Sequence, residues 1–216
     1  MTRSTCCHCR RPQKSCLCRW AKPVDNRVEF TILQHPTESK NAKGTARLAD
    51  LMLRSSSLWV GERLEDACYD GCETSQRQAF SANLAEYLQD RKQTFLLYPH
   101  REGLTSEKVC SLQGVKEWPP DQVRILVLDA TWKKSYKQLL FNPLLQQIPR
   151  IELGAFQPSR YRIRKQKNVN SLSTLEAIYE CLEVLDDASA SRDRLLQGFE
   201  AMQQQWLRFV ADKRGN

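Results

Sequence analysis

What most constrains this chain is an alternation of two patterns. Short apolar, β-rich runs take turns with stretches of helical periodicity: VEFTIL (28–33), then TARLADLML (45–53), SLWV (57–60) and SQRQAFSANLAEYLQD (75–90). TFLLYP (94–99), RILVLD (124–129), WKKSYKQLLF (132–141) and RIELG (150–154) continue the series. Runs this short and this apolar fit strands covered on both faces, and helices between them supply both the cover and the crossover that parallel strands need. The expected fold is α/β with a largely parallel, buried sheet. From residue 171 the pattern is helical only. Ser173 and Glu176 form a capping box, followed by Leu175, Ile178, Tyr179, Leu182 and Leu185 at helical spacing. A second helix over 193–212 carries Leu195, Leu196, Phe199, Met202, Trp206, Phe209 and Val210 on one face, so a C-terminal helical pair packs on the sheet.

Several classes are excluded by what this scaffold lacks. The 8 glycines are so dispersed that neither G-x-G-x-x-G nor G-x-x-x-x-G-K-[ST] occurs, which removes the usual dinucleotide and P-loop sites. Apolar runs fall far short of the roughly 20 residues of a membrane span. The N-terminus has basic residues with no apolar stretch behind them, unlike a secretory signal, and this points to a cytoplasmic, reducing compartment. With 33 Lys and Arg against 25 Asp and Glu, the net charge of +8 favours a polyanionic partner such as nucleic acid.

In that compartment the 9 cysteines read as metal ligands or free thiols. Cys6 and Cys9 form C-x-x-C, and Cys16 and Cys18 form C-x-C after a short basic spacer, within a segment (1–27) that is expected to be its own small knuckle. Four thiolates so close in the chain suit tetrahedral zinc, and a site filled by protein ligands is structural. Cys7 and His8 are spare ligands. Cys68, Cys72 and Cys110 read as helix or loop residues and Cys181 as part of an amphipathic helix, all as buried small hydrophobes.

Ligands of open α/β sheets bind beyond the carboxyl ends of the strands. There the chain places His35 and Glu38 after the first strand, His100 after TFLLYP, and Asp129 with Thr131 and Trp132 after RILVLD. Asp129, ending the most apolar strand, fits two roles: a general base, or a plain N-cap of the next helix. Trp132 fits a stacking platform or a core residue, and His35 and His100 fit structural hydrogen-bonders. Arg160, Arg162, Arg164, Lys165 and Lys167, with Tyr161 among them, resemble a phosphate-tracking loop, and Lys133, Lys134, Lys137, Arg10, Arg11 and Lys14 extend that field.

In this order, CCHCRRPQKSCLC, HPTESKNAKGTARL, LLYP, LVLDATW, LGAFQPSRYRIRK and SLSTLEA resemble segments of the DTW-domain family, named for the residues found here as Asp129, Thr131 and Trp132. The resemblance runs from Cys6 to about Leu182. It implies a knuckle (1–27) before a SPOUT-like catalytic domain (28–216) with a C-terminal trefoil knot and a closing helical pair. It also implies a tRNA-uridine aminocarboxypropyltransferase, which moves the 3-amino-3-carboxypropyl group of S-adenosylmethionine onto the imide nitrogen of a tRNA uridine and releases methylthioadenosine. On that footing Asp129 is the base or the orienting group, with Glu38 the alternative. Leu97, Pro99, Leu126, Thr131, Trp132, Leu153, Phe156, Pro158, Ser173, Thr174 and Ala177 would hold the donor. A SPOUT-type methyltransferase and a zinc-stabilised RNA-binding module without chemistry are the rival readings.

Overall fold

The structure is a computed structural model of the 216-residue chain and describes residues 4–70, 84–90, 92–99, 109–154, 158–163, 171–186 and 190–214. Its strands are β1 Glu29–Gln34, β2 Ser56–Val60, β3 Cys68–Tyr69, β4 Gln93–Leu97, β5 Val109–Ser111, β6 Val123–Asp129 and β7 Arg150–Glu152. They form one 7-stranded sheet in the order β3-β2-β1-β6-β4-β7-β5. Every pairing is parallel except β2 with β3. All of β1 is buried, as a strand between two helical layers must be.

Helices α1 Pro36–Ser39, α2 Ala46–Met52, α3 Leu84–Tyr87, α4 Leu112–Val115, α5 Trp132–Phe141, α6 Pro143–Gln147, α7 Thr174–Leu185 and α8 Arg194–Arg214 supply that cover. Alternate strand residues point to opposite faces, and the core divides accordingly. Phe30, Ile32, Phe95, Ile125 and Val127 pack with residues of α2, α7 and α8. Leu33, Leu96 and Leu126 pack with Leu139 and Leu145 of α5 and α6. The N-terminal segment shares the first of these cores: Leu17 and Val24 are fully buried in it, and Trp20 Nε1 donates to Gln205 Oε1 of α8 at 3.0 Å.

Several elements differ from the sequence expectation, each for want of length. β3 and β5, and the four- and five-residue helices α1, α4 and α6, are too short to show a period. Cys68 and Cys110 therefore stand on strands instead of helix or loop, and Cys68 is exposed, not buried, while Cys181 is fully buried on α7 as expected. Of the helix expected over 75–90, residues 75–83 lie outside the described residues, as do Cys72 and His100. The expected knot depends on the path between β7 and α7, of which 155–157 and 164–170 also lie outside them. Among the described residues no helix is long and apolar enough to cross a membrane.

Candidate active site and metal centre

Gln34 and Asp129 end the two central strands side by side in register. Gln34 Nε2 donates to Asp129 Oδ2 at 2.8 Å, and the Thr174 hydroxyl, on the first residue of α7, donates to Asp129 Oδ1 at 2.5 Å. The Asp129 backbone carbonyl accepts the His35 N–H at 3.0 Å. A half-buried carboxylate is thus held from two directions at the carboxyl edge of the sheet. The N-cap of α5 is Thr131, whose side chain makes no capping bond. Asp129 is therefore not the cap of that helix, and its carboxylate belongs to the contact between β1, β6 and α7.

The loop after β7 arrives at the same place. Ser173 caps α7 in the expected box with Glu176, and Glu176 also accepts from the Ser159 hydroxyl (3.0 Å) and from the Arg160 N–H (2.6 Å). One carboxylate thereby ties residues 159 and 160 to the helix start that carries Thr174, a junction the capping pattern alone does not reveal. Glu38 sits on α1 with its side chain 17% exposed; Asn41 Nδ2 donates to its Oε2 at 3.1 Å and Lys134 Nζ of α5 lies 3.8 Å from its Oε1. His35 caps α1: Nδ1 accepts the Thr37 N–H at 3.2 Å, which leaves Nε2 to donate to Glu62 Oε1 at 3.0 Å. That is the structural hydrogen-bonding role expected of it.

Around this edge lie the apolar residues. Leu97 and Leu153 are half-buried at or just past the ends of β4 and β7, and Pro99 and Pro158 are exposed. Trp132 is 59% exposed, its ring edge-on to Tyr98 at a centroid distance of 6.2 Å, so it is not a core residue. Thr131 is exposed and Ala177 half-buried. Leu126 stands apart from the group: it is 0% exposed, three residues before the strand end, and packs in the α5 and α6 core. Phe156 lies outside the described residues.

The basic loop alternates. Arg160 and Arg162 are exposed, whereas Tyr161 and Ile163 are buried. Tyr161 packs edge-on to Phe199 at 5.1 Å and its hydroxyl donates to the Lys43 carbonyl. This corrects the expectation that Tyr161 contacts nucleic acid: its ring and its hydroxyl are both engaged inside the protein. Arg162 remains available, with Glu200 3.6 Å from its guanidinium. Arg164, Lys165 and Lys167 lie outside the described residues.

At the N-terminus the sulfurs of Cys6, Cys9, Cys16 and Cys18 all lie within 4.8 Å of one another. Cys6–Cys18 and Cys9–Cys16 are each 3.7 Å apart. Metal–sulfur bonds of about 2.3 Å in a tetrahedron put sulfurs about 3.8 Å apart, so these two pairs already stand at the spacing zinc needs and the whole set is within about 1 Å of it. The N–H groups of Cys9 and His8 hold the Cys6 thiol down at about 6, while burial, first of all, pushes Cys16 and Cys18 up. Cys7 is exposed and outside the set. An open cleft of about 670 Å³ lined by Asp25, Arg27, Arg54 and Asp186 lies by the opposite, amino end of β1, where Arg27 pairs with Asp186 and Arg54 with Asp25.

Fold and site together define an α/β protein with a carboxylate centre at the end of its central strands and a four-cysteine cluster at its N-terminus. The chain belongs to the DTW-domain family, whose model matches residues 3–207. It is 30% identical over 197 residues to tRNA-uridine aminocarboxypropyltransferase 2 of Drosophila melanogaster, covering 90% of this chain and 72% of that protein. Proteins of the same name from Macaca fascicularis and Mus musculus are 26% and 27% identical over 205 and 207 residues. The chain spans 62% of the length of each of these two. No solved structure matches it.

Proposed function

We propose that this chain is a tRNA-uridine aminocarboxypropyltransferase, moving the 3-amino-3-carboxypropyl group of S-adenosylmethionine onto the imide nitrogen of a tRNA uridine. The observation that carries the reading is the fixed Asp129 carboxylate at the carboxyl edge of the sheet, in a chain whose relatives bear that name. A uridine imide is a poor nucleophile until its N–H proton is drawn away. Asp129, held by Gln34 and Thr174, accepts that hydrogen bond, orients the base and takes the proton as the new N–C bond forms. The donor supplies an electrophilic carbon on a sulfonium sulfur, which departs as the neutral thioether methylthioadenosine. Glu38 is the alternative base.

For the donor, the residues present fit. Among the described residues, Leu97, Pro99, Leu153 and Pro158 give an apolar edge, exposed Trp132 a face on which an adenine stacks, and Thr131, Ser173 and Thr174 a polar flank with Ala177 next along α7; Phe156, outside the described residues, is assigned to the donor by its motif alone. Phosphates of tRNA are assigned to exposed Arg160 and Arg162, to Arg164, Lys165 and Lys167 that follow them in the sequence, and to the exposed Lys133 and Lys137 of α5. Cys6, Cys9, Cys16 and Cys18 hold zinc, and with all four positions filled by protein the ion is structural.

Incubating the zinc-loaded protein with tRNA and S-adenosylmethionine and identifying the released nucleoside tests the reading. Methylthioadenosine is expected. S-adenosylhomocysteine would instead make the protein a methyltransferase, and no consumption of the donor would leave an RNA-binding module.

A further inference from the structure

Three consecutive backbone carbonyls in the loop between α1 and α2 receive hydrogen bonds from side chains distant in sequence. Arg11 Nη1 donates to Ala42 O at 2.6 Å and its Nη2 to Gly44 O at 2.7 Å; the Tyr161 hydroxyl takes the Lys43 carbonyl between them. Lys43 Nζ reaches back to Ile163 O at 2.8 Å. A loop without a ladder of its own must find such partners elsewhere, and a guanidinium offers two donors at a fixed spacing that an ammonium does not.

Arg11 is itself part of the knuckle. Its carbonyl accepts the Cys6 N–H at 2.8 Å, and Arg10 beside it has φ 56°, a left-handed conformation uncommon outside glycine. The turn closed by Cys6 and Cys9 therefore aims the guanidinium.

From the loop, two ties run into the strand-end site. Asn41 accepts the Lys43 N–H at 3.0 Å through its side-chain oxygen and donates to Glu38 Oε2 at 3.1 Å through its side-chain nitrogen. Thr45, 3% exposed, does not cap its own helix and instead accepts the Leu175 N–H at 3.3 Å. The residue before Leu175 is Thr174, whose hydroxyl bonds Asp129.

We propose that Arg11 is a positioning residue that makes the strand-end site depend on the metal knuckle. With the four thiols gathered on a metal ion, Arg11 locks carbonyls 42 and 44, and the locked loop holds Glu38 through Asn41 and sets the start of α7 against Asp129. This rests on reading the thiols as a metal site and Asp129 as the reacting carboxylate. It also removes Arg11 from the nucleic-acid field, since its guanidinium is taken up by the loop.

Backbone hydrogen exchange at Lys43, Gly44 and Leu175 tests the coupling, in zinc-loaded and metal-stripped wild-type protein and in Arg11→Ala and Arg11→Lys, each with its zinc content measured. Zinc-loaded Arg11→Ala is expected to keep its metal and the protection of β6, yet to exchange about tenfold or more faster at those three amides. Stripping the wild type is expected to expose the same amides, and stripping Arg11→Ala to add nothing there. Arg11→Lys, reaching one carbonyl, falls between. In turnover, Arg11→Ala lowers kcat about ten- to a hundredfold with KM for tRNA unchanged. Wild-type exchange in zinc-loaded Arg11→Ala would overturn the proposal, as would an equal effect of stripping in both proteins. Should the wild type not transfer the aminocarboxypropyl group, the exchange results still decide the coupling, so the two readings fail separately.

Discussion

Asp129 shows how far a single residue is readable from sequence. Its place at the end of the most apolar run marks it, because a carboxylate there ends a buried central strand. Its partners are not readable: Gln34 meets it through the register of β1 with β6, and Thr174 through the arrival of α7, both set by tertiary packing. Tyr161 is the opposite case. An aromatic among arginines looks like a nucleic-acid contact, but the alternation Arg160, Tyr161, Arg162, Ile163 turns the aromatic inward and the cations out. If Asp129 takes the imide proton, Asp129→Asn keeps the size and, with the Gln34 amide turned over, both hydrogen bonds. Turnover should then fall roughly 10²- to 10⁴-fold with the melting temperature nearly unchanged. Single-turnover rates and thermal melts of this variant check both expectations, and an active Asn variant would shift the chemistry to Glu38.

Among the elements, β1 and β6 carry a lock at one end and the site at the other. At their amino ends Glu29 and Arg124 are paired in register, with Arg124 Nε donating to Glu29 Oε1 at 2.7 Å and its Nη1 to Asp90 Oδ1 at 2.9 Å. The Arg124 side chain is 1% exposed and lies over the Tyr87 ring. Burial alone would raise the Glu29 carboxyl, but the hydrogen bonds and charge of Arg124, with Lys92 and Tyr87, outweigh it and hold it at about 2. A carboxyl depressed on folding contributes stability that is present above its ordinary value of about 4.5 and lost as the pH falls toward 2. Glu29→Gln should therefore cost on the order of 3 kcal/mol at pH 7, and the gap to wild type should close across that acid window. Urea unfolding of both proteins at several pH values measures it; a gap independent of pH would contradict the pairing. The long central strands and the capped helix α7 are legible because their apolar spacing and capping box are local signals. The two- and three-residue edge strands β3 and β5 borrow their conformation from neighbours and leave no such trace.

For the whole molecule, two features of composition meet in the structure: a thiol cluster closed to metal distances and an excess of positive charge with exposed arginines near the strand-end site. Cys16→Ser should abolish zinc binding and lower the melting temperature, while Cys7→Ser should do neither; metal analysis and thermal melts of the two variants report this. Full zinc occupancy in Cys16→Ser would refute the ligand set. Changing Arg162, Lys165 and Lys167 together to Ala should weaken tRNA binding and flatten its salt dependence by about 0.7 to 0.9 in slope per lost phosphate contact, leaving S-adenosylmethionine affinity near wild type. Titrations across a salt series would contradict this if donor affinity fell and tRNA affinity held. Alternation reveals the scaffold, spacing the thiol set, and the charge excess favours a polyanionic partner, but the group transferred is not written in them, since aminocarboxypropyl and methyl transfer ask the same of a strand-end carboxylate and a basic loop. Nucleoside mass spectrometry of tRNA after incubation with S-adenosylmethionine and the wild-type or Asp129→Asn protein separates the two. A uridine carrying the 3-amino-3-carboxypropyl group is expected with wild type and only a trace with Asp129→Asn. A methylated nucleoside, or unmodified tRNA from the wild-type reaction, would contradict the assignment.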